Sequence, residues 1–188
     1  MNRVSEIERL VLDPQILQDV ITRDVPMLSA DWGVRDEDAL VHTCGVNLFA
    51  GLGRAGGFAA LTEFPVPRAE QWQKKLVRVD SAWFDRSTRR PVVLVEFERL
   101  SSQRAMEKMV NLCVAARATE EPPDVLLLCL WALDGERLET GWFDPDRPMT
   151  VRGGPAVCRP AESTCILTQA VFGRSSDQLH LVKLRRLA

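Results

Sequence analysis

Apolar and polar positions divide this chain into stretches of different period. Over residues 2–24 apolar side chains recur at helical spacing, Ile7, Leu10 and Val11, then Ile16, Leu17, Val20 and Ile21. Pro14 interrupts the series, so the spacing predicts two short amphipathic helices. Asp36, Glu37 and Asp38 ahead of Ala39, Leu40 and Val41 read as the acidic start of another helix, favoured by the helix dipole. LTEFPVP (61–67) is short and proline-limited, as an edge or first strand would be. VRVDSAWFD (77–85) and PVVLVEFER (91–99) are rich in β-branched and aromatic residues, with a turn-forming segment between them. The unbroken Val92–Val95 run is what a strand covered on both faces requires. From Ser101 to about Thr119 the period returns to helical, with Ala105, Met109, Leu112 and Ala116 as the buried stripe. VLLLCLWAL (125–133) is a second fully buried strand, and strand, helix, strand predicts a right-handed parallel crossover. Beyond Asp134, LETGWF, PMTVRG, STCILTQAVF and QLHLVKL read as short extended runs forming an antiparallel extension of the sheet. The expected fold is a single α/β domain with a central mixed sheet flanked by helices. Its parts are an N-terminal helical segment (1–35), a core (36–133) and a β-rich C-terminal extension (134–188).

Acid enters this pattern where apolar residues are expected. Strand side chains alternate between faces, so Glu96 and Glu98 share a face about 6.5–7 Å apart along the chain. If the neighbouring strand brings Asp80 alongside, three carboxylates converge at the end of a buried sheet, where like charges are costly unless a cation or protons neutralise them. Oxygen ligands favour hard cations such as Mg²⁺ or Mn²⁺, whose usual chemistry is activation of water against phosphate.

At these residues the chain resembles the PD-(D/E)XK nuclease superfamily, marked by an acid on one core strand and an acid-x-lysine on the next. Asp80 matches the first acid and Glu96 the second, and the family's order of elements can be laid over roughly Asp36 to Leu133. The resemblance implies a restriction-endonuclease-like core and a Mg²⁺- or Mn²⁺-dependent nuclease acting on DNA. Asp80, Glu96 and Glu98 would be metal ligands. Two departures stand out: Val79 where the family often has proline, and Glu98 where it usually has lysine. Family members are known in which the lysine has migrated into the following helix. Here Arg104, Lys108 and Asn111 make a polar stripe on that helix, the default of a solvated helix face, in which Lys108 is the candidate replacement and Arg104 a further one. Glu63, on the strand before Asp80, and Glu37, at a helix start, are additional candidates for the acid set. The acid at position 98 equally fits a nuclease fold that has lost its chemistry and serves as a binding or assembly module. A third reading is an unrelated α/β protein whose acids pair with its arginines.

Composition narrows this only a little. A chain of 188 residues, 46% hydrophobic and 27% charged, has enough material for one well-buried core, and no apolar run approaches the roughly 20 residues that cross a bilayer. No secretory pattern opens the chain, so a cytoplasmic location is expected. A net charge of −2 gives no global attraction to nucleic acid, although arginine, 20 residues against 4 lysines, suits phosphate contacts. The expected partners are nucleic acid, DNA first, and a second copy of the chain, with no membrane. RAEQWQKK (68–75), polar and basic apart from Trp72, suits contact with a nucleic-acid backbone and equally suits an ordinary hairpin surface. Five scattered cysteines read as buried thiols of a reducing compartment. With no C-x-x-C and only His42 and His180, zinc is not expected. His42, beside Cys44 in a helical pattern, reads as structural, and GLGRAGG (51–57) as a flexible loop after that helix, lacking the strand and acid of a dinucleotide site.

Overall fold

Asp13 explains the break between the first two helices. In a computed structural model, which describes residues 2–66, 77–136, 140–150 and 156–188, its carboxylate accepts from the backbone amides of Gln15 and Ile16 at 2.9 and 3.1 Å. It thereby caps α2 (Pro14–Asp24), where Pro14 occupies a first-turn position that needs no N–H. The chain before it is α1 (Arg3–Leu12). A two-residue β1 (Val34–Arg35) leads into α3 (Asp38–Ala55), β2 (Ala59–Val66), β3 (Val77–Phe84), β4 (Pro91–Arg99), α4 (Ser102–Arg117), β5 (Val125–Leu133), β6 (Thr164–Ser175) and β7 (Gln178–Arg186).

The seven strands form one mixed sheet in the order β1-β7-β6-β5-β4-β3-β2. β3 pairs antiparallel with β4, and β4 runs parallel to β5 through the α4 crossover. Odd-numbered β5 residues, Val125 to Trp131, pack in one apolar cluster with α1, α2 and α3; even-numbered ones, Leu126 to Leu130, pack in another with α4. Ala105, Met109, Leu112 and Ala116 are fully buried there, as their spacing predicts.

Three expectations are corrected. β6 does not begin an antiparallel extension: it lies parallel to β5 from Thr164 to Phe172, and only β7 folds back antiparallel. The Gly51–Gly57 segment is not a loop, because α3 runs to Ala55 and its glycines are close-approach points. A Cβ at Gly51 would stand 2.6 Å from Val20, and one at Gly53 2.7 Å from Trp83. Of the extended runs after Asp134, LETGWF and PMTVRG lie partly outside the described residues, and the described stretch from Gly141 to Met149 is mostly turn, joined to Val157 by a bridge at Met149. The basic segment 68–75 lies outside the described residues. Among the described residues no helix is long and apolar enough to cross a membrane.

Candidate metal and phosphate site

The β3–β4 ladder ends at Ser81 opposite Val95. One step further the register would set Asp80 opposite Glu96, but the backbone amide of Phe97 donates to Asp80 Oδ2 at 2.7 Å. A side chain thus takes the place of a ladder partner. That satisfies a buried N–H and fixes the carboxylate between the two strands, 5% exposed.

Helices reach this carboxylate from both faces of the sheet. From α4, Lys108 Nζ lies 2.6 Å from Glu96 Oε2 and 3.6 Å from Asp80 Oδ2. Lys108, twelve residues after Glu96, thus brings a cation back to that strand, while Glu98 accepts from the Arg99 amide at 2.9 Å and from Arg104 Nη1 at 3.2 Å. From α3, His42 Nε2 lies 3.5 Å from Asp80 Oδ1. That close approach depends on Gly45: a Cβ there would sit 2.1 Å from the Phe97 ring, so only glycine lets α3 lie this near β4.

The electrostatics follow from burial and these neighbours. Glu96 is wholly buried, and burial first, the Asp80 charge second, push its pKa well above the usual carboxylate value. Burial works against ionisation of Asp80 too, but His42, Lys108 and the Phe97 amide outweigh it and hold that carboxyl below its ordinary value. Lys108 loses solvation by burial, yet Glu96 and Asp80 hold its proton more firmly than water would. Two carboxylates in contrasting states beside one ammonium are the arrangement from which acid, base and ion-binding roles are built. Glu96 Oε1 is buried with no hydrogen-bond partner among the described residues.

A shallow cleft of about 280 Å³ opens over the site, lined by Asp38, His42, Glu98, Arg99, Arg104 and Lys108. Arg99 is anchored by Asp38 at 2.6 Å and lies over the Trp131 ring, 5.0 Å from its centroid. Larger hollows of 450 and 540 Å³ near Phe64 and Phe84 contain none of Asp80, Glu96, Glu98 and Lys108.

The candidates of the sequence reading are thus partly gathered. Asp80, Glu96 and Lys108 meet, Arg104 and Glu98 pair at the rim, and Glu63 stands beside Asp80 from β2. Glu37 stands just before α3 without a side-chain capping bond and faces Arg35 at 3.2 Å, away from the cleft lining. Among the described residues, the His, Cys or acid group whose ligand atoms all lie within 4.8 Å of one another is His42, Glu63 and Asp80; Glu96 and Glu98 do not complete such a trio. His42 is the residue that sequence reasoning passed over. Its signal was the i, i+4 spacing from Asp38 and the i, i+3 spacing to Gly45, which put a polar residue on the helix face that packs closest to the sheet. Burial pushes the thiols of Cys113, Cys129 and Cys165 up to about 12, which keeps these three protonated and unreactive. No family model, curated protein or solved structure matches the chain.

Proposed function

We propose that this protein is a metal-dependent phosphodiesterase of the PD-(D/E)XK kind, with DNA as its substrate. The observation that carries the reading is the meeting of Asp80, Glu96 and Lys108 where the β3–β4 pairing stops, with the lysine supplied by α4. The crowding of Glu96 against Asp80 fits the same view, since two buried acids side by side must either keep a proton, as the raised Glu96 pKa reflects, or be neutralised by a cation. Asp80 and Glu96 would hold Mg²⁺ or Mn²⁺, hard ions that suit two carboxylates. Such an ion, when bound, polarises a phosphoryl oxygen and lowers the pKa of a bound water. Lys108, held protonated by its two acids, presents N–H donors to a phosphate in the cleft and stabilises charge developing on it. Arg99 and Arg104 at the rim attract the phosphate backbone, and Trp131 keeps Arg99 in place.

The test is cleavage of end-labelled single- and double-stranded DNA with Mg²⁺ or Mn²⁺, comparing wild type with Asp80→Asn and Glu96→Gln. Metal-dependent cleavage that each substitution lowers by about 10²-fold or more is expected, the scale on which loss of a transition-state electrostatic contact is felt. A folded wild type that cleaves no DNA with either ion contradicts the proposal and leaves a binding or assembly module.

A further inference from the structure

Asp80 presents its two oxygens to different surroundings. Oδ2 faces the Phe97 amide and Lys108, whereas Oδ1 faces His42 Nε2 at 3.5 Å. That separation is long for a hydrogen bond but matches the spacing of two ligands on one ion: tetrahedral bonds of about 2.1 Å set neighbouring ligand atoms about 3.4 Å apart. Glu63 supplies the third group. It lies directly across from Asp80, flanked by the pairs Thr62–Ser81 and Phe64–Val79. Its backbone is left-handed, with φ at 50°, a conformation that costs a residue with a side chain and is kept where surroundings over-determine it. The ligand atoms of His42, Glu63 and Asp80 all lie within 4.8 Å of one another. Beside them, Glu96 is wholly buried next to the shared Asp80 carboxylate.

From this geometry we infer that His42, Glu63 and Asp80 form a binding site for a borderline transition-metal ion of the Zn²⁺ or Co²⁺ class, distinct from a hard-ion position between Asp80 and Glu96. Imidazole in the donor set is the deciding chemistry. A nitrogen ligand favours Zn²⁺ and Co²⁺ over Mg²⁺, which prefers oxygen throughout. Three protein ligands, one of them exposed on β2 and one lining the cleft, leave a fourth position open to solvent, the pattern of zinc sites that handle water or substrate rather than of closed structural ones. The inference requires no cleavage and stands if the phosphodiesterase reading fails, because it concerns binding alone.

Co²⁺ titration of the full chain, followed by its visible d–d absorption, tests it. The wild type is expected to develop a saturable band of low-symmetry, four- or five-coordinate Co²⁺, abolished by stoichiometric Zn²⁺ and not by excess Mg²⁺. His42→Gln and Glu63→Gln should each weaken binding at least about tenfold, with circular dichroism checking that both variants fold. A measurement needing no variant at the site guards against misfolding. The chain has two histidines, so in ¹⁵N-labelled protein carrying His180→Gln the remaining imidazole should show Nε2 losing its proton and shifting as Zn²⁺ is added. No Co²⁺ band, a band indifferent to His42→Gln, or an imidazole unmoved by Zn²⁺ overturns the inference.

Discussion

His42 holds its proton more firmly beside Asp80 than it would in water. The Asp80 carboxylate is the main cause, working against partial burial; Glu98 adds to it and the Lys108 charge opposes it. A histidine raised in the folded state contributes stability that is fully present below its unfolded value near 6.5 and lost as pH rises through the higher folded value. Asp80, held low, contributes stability present above its ordinary 3.8 and lost as pH falls through its folded value. The metal-free protein should therefore keep both contributions between these limits and lose that of His42 above 6.5. Melting temperatures across pH check this. The difference between wild type and His42→Gln should be largest at or below pH 6.5 and shrink on the alkaline side, whereas a difference that grows with pH would mean that His42 is not raised by its neighbour. Comparing the two proteins isolates this contribution from that of Glu96, whose raised pKa also costs stability as pH rises.

Among the elements, α3 shows how far packing governs the site. Gly45, Gly51 and Gly53 are spread over its length, where glycine costs helix stability relative to alanine. What they gain is proximity to Phe97, Val20 and Trp83. Gly45→Ala should destabilise the protein by about 1–3 kcal/mol, the scale of overpacking in a rigid core, and should loosen His42 from Asp80 by moving the helix outward. Urea denaturation measures the first effect; a stability equal to that of wild type would mean that the helix shifts freely and that its approach to β4 is not tight. Sequence reveals such elements unequally. β4 and β5 were legible because a strand buried on both faces must be apolar throughout, and α4 because its stripe is amphipathic. The pairing of Thr164–Ser175 was not legible: its residues announce a strand, but its parallel direction is decided by a partner some forty residues away. The α3 glycines misled for a related reason, since local composition records a glycine without recording the ring that needs its space.

At the scale of the whole molecule, the sheet separates two apolar clusters and brings one residue from each flanking layer to the same carboxylate. His42 comes from the layer of α1, α2 and α3, and Lys108 from α4 on the opposite face. Asp80, Glu96 and Lys108 were legible as candidates because acid in an apolar strand and a cation at helical spacing are conspicuous. Their meeting point was not, because it depends on where the β3–β4 ladder stops and on Phe97 bonding to a side chain. Glu98 is turned to Arg104 and the Arg99 amide, so in the proposed function the cation is Lys108 of α4. Single-turnover cleavage of DNA by Lys108→Met and Glu98→Gln, at saturating Mn²⁺ and with folding checked by melting, tests this most directly. The account predicts that Lys108→Met loses about 10²-fold or more in rate while Glu98→Gln stays within a few-fold of wild type. An active Lys108→Met protein, or a Glu98→Gln protein impaired as severely as Lys108→Met, would contradict it.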